Sequence, residues 1–569
     1  MLRVSEIDAN VSVSRIGLNL DINRISFIQQ DSIRIALRII LKRGVIIMSF
    51  EVGVTKPLLL ATGKMPAAQD IQVIPDENFD SREKSKSLEL TAGFDKELQV
   101  SEPLSNKERR SAILNIVFAG IALTSDGYCE SVVNLINVFF SALYPIQFTS
   151  AMSTRISNAL LVGAIIGQLG FGLISDRIGR KVGLLCTTAF VIVGSLLCSA
   201  AYGAGGSVEG LLWALVVYRG IVGVGVGGEY PCSSANASEA TEETIPRSRG
   251  GVFIMVTNFA LVIGGVLSII VQVVLLKIFG TNDLEPVWRI SFGLAIVPIL
   301  SVFYFRIRML NSKLYRKEAM KKKVPYILIL RKYWKYLIGT CGTWFLYDFV
   351  AFSNGVFSST ILENVISGTD IMKTAYFQLI LSALGIPGLV IGALTIDKIG
   401  RKKQQFIGFL GYGVMGILIG ALFGKLRKYT AALIILYGVF NSFGNFGPGD
   451  ALGLVSSEIY PTAVRGTCYG ISAAFGKAGG AIGTQVFLPI RNAFGGASST
   501  NGNRAVFIVC GGVSLLGALL SLIFIPDYSK RYLKAGDEEF HEYLKDNNIH
   551  ALQGESLEAS ASSNMLHRT

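Results

Sequence analysis

The sequence predicts an all-α membrane protein with twelve transmembrane helices in two pseudo-symmetric six-helix bundles. First, 51% of its 569 residues are hydrophobic and only 16% are charged, whereas a soluble domain carries about 25% charged residues. Second, apolar segments alternate with short polar loops from Ser111 to Ile525, and segments of about 20 residues suit helices that cross the hydrocarbon core. Third, the loop DRIGRK at Asp176–Lys181 recurs as DKIGRK at Asp397–Lys402, each time between two apolar segments.

The recurrence of the loop divides the chain into two similar halves. The first bundle is predicted over residues 111–308 and the second over residues 335–526, with a basic cytoplasmic linker at 309–334. The 62 glycines fit this arrangement, because small residues allow transmembrane helices to approach closely. The predicted spans, from first to twelfth, are residues 111–140, 154–175, 182–203, 211–231, 251–276, 288–308, 335–357, 374–395, 404–424, 430–455, 466–490 and 505–526.

Basic residues set the predicted orientation in the bilayer. Lys and Arg are concentrated in the loops that follow the even-numbered spans and in the linker. An excess of basic residues marks cytoplasmic loops, so both termini are predicted to be cytoplasmic. The formal charge of +13 would permit nucleic-acid binding. Because the charges lie between apolar spans and form no basic face of a soluble domain, the lipid bilayer is the expected partner and nucleic acid is not.

Both ends of the chain are predicted to lie outside the bundles. Residues 1–110 contain no clean span and are interpreted as a cytoplasmic, disordered arm. The alternative is an upstream extension of the reading frame, with Met48 or Met65 as a later start. Within the arm, residues 33–48 could form a basic amphipathic helix, and the polar, charged stretch 69–110 is typical of disorder. No cleavable signal peptide is recognised. The polar cytoplasmic tail 527–569 is expected to be unstructured or loosely helical.

Cysteine and histidine usage limits the chemistry available inside the membrane. The seven cysteines lie in or beside apolar segments without framework spacing, so they are expected to be reduced and to pack as small apolar residues. The three histidines, His541, His550 and His567, all lie in the tail. No metal site is therefore expected, and carboxylates must carry any proton within the membrane.

Glycines crowd the fourth span within Arg219–Pro231, RGIVGVGVGGEYP. They cannot all face one side of a helix, so they thin it on several faces. No strand precedes the run, which argues against a nucleotide-phosphate loop. This run and the repeated loop resemble signatures of the major facilitator superfamily, which implies a substrate site between two moving halves. The loops would act as conformational latches through Asp176, Arg177, Gly179, Arg180, Asp397, Lys398, Gly400 and Arg401.

Four further motifs lie in or beside the spans. They are SDGY at Ser125–Tyr128, WFLYDFVAF at Trp344–Phe352, EIYPTAVR at Glu458–Arg465 and GISAAFGKAGG at Gly470–Gly480. Together with the fourth-span run, they resemble the phosphate:proton symporter family. The resemblance covers the twelve spans and leaves the N-terminal arm unexplained.

Four departures from that pattern indicate one branch of the family. Glu229 stands where the phosphate symporters have Asp, Phe352 where they have Tyr, and Gly449 where they have Asn. Asn258 lies near the position in the fifth span where they typically carry Gln. The altered motifs resemble the fungal glycerophosphoinositol permeases. Losing polar groups and volume at Phe352 and Gly449 suits a larger organic phosphate. The resemblance therefore implies a plasma-membrane, proton-coupled symporter that imports glycerophosphodiesters, with glycerophosphoinositol as the favoured substrate.

Ionisable residues within predicted spans are the expected site, because burying an unpaired charge is costly. For each one the alternative is a structural ion pair. That alternative is preferred for Glu239, Glu458 and Arg219, and Arg219 is expected to pair with a nearby carboxylate. Proton coupling is assigned to Asp126, Glu229 and Asp348. Substrate binding is assigned to Tyr230, Asn258, Trp344, Asp348, Phe352, Asp450 and Lys477.

Coupling to protons follows from the charge of the substrate. A phosphodiester anion is repelled by ionised carboxylates, and protonating one of them removes the repulsion and adds a hydrogen-bond donor. The proton is thus the coupling ion, and no other cofactor is expected. Inorganic phosphate:proton symport is the main alternative, followed by a sugar porter and by a nutrient receptor that does not transport. No nucleophile–base pair, metal cluster or cofactor motif indicates an enzyme, and the sequence leaves the oligomeric state open.

Overall fold

The computed structural model describes residues 26–30, 33–42, 45–54, 106–309, 311–319, 324–365, 370–496, 499–528 and 532–547. Within the N-terminal arm predicted to be disordered, residues 1–110, the structure describes three strands between residues 26 and 54 and the helical residues 106–110. The rest of that arm and the end of the tail, residues 548–569, lie outside the described residues.

The N-terminal unit contains a three-stranded antiparallel sheet, so a basic helix over residues 33–48 is wrong. Its strands are β1 (Ser26–Gln30), β2 (Ile33–Lys42) and β3 (Val45–Val54), in the order β1–β2–β3. Ile33 pairs with Val54 and Lys42 with Val45. Both longer strands are rich in Ile and Val, which favour strands. Basic residues four apart, as in β2, fit one face of a strand as well as one face of a helix.

All twelve predicted spans are helical. The helices of the first half are Asn106–Leu143, Ser150–Arg177, Arg180–Ser199, Val208–Thr244, the pair Arg249–Val256 and Asn258–Phe279, and the pair Leu284–Leu294 and Ile296–Arg308. Those of the second half are Tyr326–Val365, the pair Ile371–Ala383 and Ile386–Ile399, Arg401–Leu426, the pair Thr430–Gly444 and Asp450–Glu458, Arg465–Ala493, and Thr500–Phe524. Lys313–Glu318 forms a linker helix, and Leu533–Asp546 forms a C-terminal helix.

Ten of the spans in the described residues are long and apolar enough to cross a membrane, judged by length and composition. The other two are the seventh and the eleventh, which carry Asp348 and Lys477. These two helices pack closely, with Gly476 against Trp344 and Gly479 against the backbone of Phe345. Both helices border the central cavity described below, and a helix in that position does not need an apolar surface all round.

Helix breaks lie beside the space between the halves. The fifth span is interrupted at Thr257, where φ is −113° and ψ is −84°. The tenth span contains a π-helical turn at Asn445–Gly449, which includes Pro448. A proline removes one backbone donor, and π-turns are often found at functional sites. Thr257, Asn445 and Gly449 all line the central cavity described below.

The glycines of the fourth span allow close packing on several faces, as predicted. Gly223 and Gly227 lie against the backbone of the second span, whereas Gly225 lies against the third span at Val191. A side chain at any of these positions would collide with backbone atoms. The close approach holds the fourth span, which carries Arg219 and Tyr230, against the second and third spans.

Candidate functional site

The first copy of the repeated loop ties the two halves together. Asp176 accepts hydrogen bonds from the backbone N–H of Gly466 (2.9 Å), from that of Thr467 (2.6 Å) and from the Thr467 hydroxyl (2.7 Å). These donors begin the eleventh helix, where a carboxylate satisfies unpaired N–H groups and interacts favourably with the helix dipole. Arg180 pairs with both Asp176 (2.5 Å) and Glu239 (2.8 Å). We call this arrangement the first latch.

The second copy makes the same arrangement with the halves exchanged. Asp397 accepts hydrogen bonds from the backbone N–H of Gly250 (3.2 Å) and Gly251 (2.9 Å), at the beginning of the fifth span. Arg401 pairs with Asp397 (2.9 Å) and with Glu458 (3.1 Å). We call this the second latch. The repeat therefore produces two symmetry-related joints between the bundles at one end of the molecule.

An arginine from the opposite half completes each latch. Arg465 contacts Glu239 (3.1 Å), and Arg249 contacts Glu458 (2.8 Å) as well as Glu242. In these ion pairs the side chain of Glu239 is 0% exposed and that of Glu458 is 4% exposed. Both carboxylates thus occupy structural ion pairs, the interpretation preferred from the sequence.

The remaining predicted latch residues shape the loops. Gly179 and Gly400 precede the third and ninth helices with φ of 139° and 95°, a region that glycine adopts without strain. Arg177 is exposed and donates a hydrogen bond to the hydroxyl of Tyr326 (3.0 Å), and Lys398 is exposed. These residues form tight turns that direct Asp176 and Asp397 towards the opposite half.

The C-terminal helix, Leu533–Asp546, lies against the first latch, so this part of the tail is ordered. Asp537 accepts hydrogen bonds from the backbone N–H (2.6 Å) and hydroxyl (2.7 Å) of Thr462, in the loop after the tenth span. His541 contacts Glu318 of the linker helix (2.7 Å). The helix therefore connects the linker to the second half at the latch end.

Asp537 should make stability depend on pH. Burial raises its pKa from 3.8 to about 6, against the opposing effects of Arg465 and Thr462. Because the folded-state pKa is raised, the contribution to stability is complete below pH 3.8 and is lost as the pH rises through about 6. Asp537→Asn resembles the protonated form and should remove this loss, worth at most about 3 kcal/mol.

The check is the melting temperature of the purified protein in detergent between pH 4 and 7.5. The wild type should lose more stability than Asp537→Asn across that interval. Identical pH profiles in the two proteins would contradict the prediction.

A cavity of about 330 Å³ lies between the two halves. Residues from the first, second, fourth, fifth, seventh, tenth and eleventh spans line it. Asp450 does not line it, but its carboxylate accepts a hydrogen bond from the side chain of Asn258 (2.8 Å), which joins the fifth and tenth spans. Six of the seven predicted substrate-binding residues border the cavity: Tyr230, Asn258, Trp344, Asp348, Phe352 and Lys477.

Lys477 is at the centre of the charged part of the cavity. Its Nζ lies 2.9 Å from Glu130 Oε1, 4.0 Å from Asp348 Oδ2 and 3.4 Å from the hydroxyl of Tyr230. The Tyr230 hydroxyl donates a hydrogen bond to Glu130 (3.2 Å). The ammonium group also lies 4.3 Å from the ring centroid of Phe352, where the ring face attracts a cation. One cation is thus shared by two carboxylates and two aromatic rings.

Glu130 is a cavity residue that the sequence motifs missed. It lies two residues beyond the SDGY motif and four residues after Asp126. Residues four apart share a helix face. A second carboxylate on the same face as Asp126, within an apolar span, is therefore the sequence signal that could have identified Glu130.

Arg219 differs from its predicted role. Its guanidinium donates hydrogen bonds to the backbone carbonyls of Ile156 (3.0 Å) and Cys129 (3.5 Å). No carboxylate within the described residues forms an ion pair with it, so the predicted pairing is wrong. Because the fourth span packs closely against its neighbours, backbone carbonyl oxygens of those neighbours accept the hydrogen bonds of the guanidinium in place of a carboxylate. Arg219 lines the cavity and is the second cation there.

Glu229 does not line the cavity. It forms a buried, two-pronged ion pair with Arg306 of the sixth span, with one contact of 2.8 Å. Thr187 (2.8 Å) and Ser233 also donate hydrogen bonds to it. These donors satisfy the carboxylate within the first half, an arrangement typical of a structural ion pair. Its role in proton coupling stays a prediction.

Asp126 is fully buried behind the cavity. Neither of its carboxylate oxygens has a hydrogen-bond partner among the described residues. It interacts electrostatically with both the Glu229–Arg306 pair and the Glu130–Lys477 pair. An ionised carboxylate without donors is costly to bury, and protonation removes that cost.

The structure gives no basis for a metal centre in the residues it describes. No group of three or more His, Cys, Asp and Glu side chains is arranged there to hold a metal ion.

Trp344 packs edge-to-face on Tyr469, with ring centroids 5.3 Å apart, and the hydroxyl of Tyr469 accepts a hydrogen bond from Ser234 (2.9 Å). Aromatic and hydroxyl groups from both halves therefore complete the cavity wall.

The chain matches a family of known transporters. The family model for sugar (and other) transporters matches residues 111–324 and 313–540. The chain is 44% identical over 437 residues to glycerophosphoinositol permease 1 of Candida albicans, covering 76% of this chain and 82% of the relative. It is 43% identical over 446 residues to glycerophosphoinositol transporter 1 of Saccharomyces cerevisiae, covering 78% and 84%. The resemblance drawn from the motifs is confirmed.

Solved structures confirm the fold. The proton:xylose symporter XylE of the major facilitator superfamily, bound to 6-bromo-6-deoxy-D-glucose, aligns with a TM-score of 0.64 at 19% identity, covering 77% of this chain and 100% of that one. The likeness supports the two-bundle, all-α fold predicted from the sequence. The chain is therefore a multi-pass membrane protein that belongs to the sugar (and other) transporter family of major facilitator proteins and is related to the fungal glycerophosphoinositol permeases.

Proposed function

We propose that this chain is a proton-coupled symporter that imports glycerophosphodiesters, with glycerophosphoinositol the favoured substrate, without converting them chemically. It would act in the plasma membrane by alternating access, with both termini in the cytoplasm. Relatives named as glycerophosphoinositol permease and transporter support the substrate class. The observation that carries the proposal is the cavity between the halves, in which two cations face two carboxylates.

The charges of the cavity explain why an anion and a proton would bind together. Arg219 and Lys477 line it along with Glu130 and Asp348, so the set is neutral when all four are ionised. A phosphodiester adds one negative charge, and an uncompensated charge in a desolvated site is costly. Protonation of one carboxylate restores neutrality. Coupled binding of one anion and one proton is therefore the most stable loaded state.

The substrate phosphate and the carboxylate of Glu130 would compete for Lys477. Glu130 contacts it closely (2.9 Å), whereas Asp348 is farther away (4.0 Å) and its Oδ2 has no hydrogen-bond partner among the described residues. We assign Glu130 as the group that neutralises Lys477 before the substrate phosphate replaces it. Asp348 then takes the coupling proton, and Asp126 is positioned to exchange a proton with the cavity from behind.

The latches provide the conformational part of the cycle. Both are engaged, so the halves are held together at the end that carries the linker and the C-terminal helix. Opening the cavity towards the cytoplasm requires both sets of contacts to separate. Their symmetry means that a rotation of one half against the other separates both together.

The charged part of the cavity would also hold inorganic phosphate, which makes phosphate:proton symport the second candidate. Phe352 favours the larger substrate, because its ring lies over Lys477 and offers phosphate no hydroxyl. Competition between the two anions separates the candidates.

The test is uptake of labelled glycerophosphoinositol in cells that lack their own phosphate and glycerophosphodiester uptake. Expression of the chain should give saturable uptake that is faster at pH 5 than at pH 7.5 and is abolished by a proton uncoupler. Excess unlabelled glycerophosphodiester should compete much better than excess inorganic phosphate. Uptake of phosphate alone would favour the second candidate, and absence of saturable uptake of either anion would refute both.

A further inference from the structure

A second cavity, which we call the neutral cavity, adjoins the central cavity. It has a volume of about 230 Å³ and shares seven lining residues with the central cavity, among them Asn134, Tyr347 and Asn445. The eighth, ninth and tenth spans contribute Gln378, Tyr412 and others to its wall. The two cavities therefore adjoin each other along a shared wall, and the rest of each is lined differently.

The linings of the two cavities differ in charge. Four charged side chains line the central cavity, whereas none of the described residues lining the neutral cavity is charged. The neutral cavity is instead rich in amides and hydroxyls. Such groups both donate and accept hydrogen bonds, as the hydroxyls of a polyol do.

Several of these groups have hydrogen-bonding capacity that the described protein does not use. The Oε1 atom of Gln378 accepts a hydrogen bond from Ser358 (3.1 Å), which fixes the amide, while its Nε2 has no partner among the described residues. The side chains of Asn134 and Asn441 likewise have no hydrogen-bond partner there. By contrast, Tyr437 donates to Asn354 (3.2 Å), so part of the wall is already fixed.

We propose that the neutral cavity binds the hydroxyl-bearing head group of the substrate, while its phosphate occupies the central cavity beside Lys477 and Arg219. This inference rests on the proposed function and adds the determinant of head-group choice. A polyol such as inositol can pair with the free amides of Gln378, Asn441 and Asn134. A cationic head group such as choline has no donor to offer these amides and meets no carboxylate among the described residues of this wall.

The test is isothermal titration of the purified full-length protein in detergent with glycerophosphoinositol and with glycerol 3-phosphate, which lacks the head group. Gln378→Met and Asn441→Leu keep the size of each side chain while removing its amide. Each should weaken glycerophosphoinositol binding about tenfold, the usual effect of leaving a ligand hydroxyl unpaired. Binding of glycerol 3-phosphate should not change, which also shows that the variants are folded. Lys477→Gln is the control that should weaken both ligands.

The inference is overturned if either variant weakens both ligands equally, or if neither variant changes the affinity for glycerophosphoinositol. Wild-type protein that binds inorganic phosphate but not glycerophosphoinositol would refute the proposed function, and the inference with it. Failure of the proposed function is distinguishable from failure of this inference, because the first is seen with the wild-type protein and the second only with the variants.

Discussion

Replacing Lys477 with glutamine is expected to reduce glycerophosphoinositol uptake at least about 100-fold, since removing one partner of a buried charge pair costs about 3 kcal/mol or more. The substitution removes the ammonium that contacts Glu130 (2.9 Å) and lies 4.0 Å from Asp348. Two carboxylates then face the cavity, with Arg219 as the one cation left among its described lining residues, so an anion is repelled. The measurement is the initial rate of uptake at pH 5, normalised to the amount of protein at the cell surface.

Two matched variants separate charge from shape. Lys477→Arg keeps the positive charge and should retain measurable uptake. Glu130→Gln removes the competitor for Lys477, so it should lower the substrate concentration for half-maximal uptake at pH 7.5 and reduce accumulation against a gradient. Normal uptake by Lys477→Gln would remove this residue from the binding site.

Asp176→Asn is expected to slow transport more strongly than the equivalent change Asp397→Asn. Asp176 is 3% exposed and accepts three hydrogen bonds from the eleventh helix, whereas Asp397 is 26% exposed. Water can replace the contacts of the exposed carboxylate but not those of the buried one. Breaking the first latch should therefore cost about 3 kcal/mol, and breaking the second about 1 kcal/mol or less.

The measurement is the maximal uptake rate together with the substrate affinity of the purified protein. Both variants should lower the maximal rate and leave the affinity within about twofold, a change of about 0.4 kcal/mol, because none of the described residues that line the cavity belongs to a latch. Equal rates for the two variants would show that burial does not determine latch strength. A large loss of affinity in either would contradict a purely conformational role.

Local sequence was sufficient for much of the fold and of the site. Membrane-length apolar segments predicted the twelve helices, and the repeated loop predicted two halves joined by latches. The motif residues Tyr230, Trp344, Phe352 and Lys477 do line one cavity. These predictions succeeded because hydropathy, helical spacing and repeated motifs are local properties that the bilayer converts directly into structure.

Partners that are distant in sequence were not predictable in this way. Glu229 pairs with Arg306, which lies 77 residues away, and that pairing separates it from the cavity. Asp450 accepts a hydrogen bond from Asn258, which lies 192 residues away in the sequence. Arg219 contacts carbonyl oxygens where an acidic partner was expected, and the contact of Glu130 with Lys477 joins residues of the first and eleventh spans.

The sequence by itself determined that this protein spans a membrane as two related halves and that unmatched charges lie within its helices. Tertiary structure decided which of those charges face the cavity and which form structural ion pairs away from it. The physical reason is that hydrophobic length fixes a helix one segment at a time, whereas the state of a buried charge depends on the groups within a few ångströms of it. Those groups come from other helices, and only the packing of the two bundles brings them together.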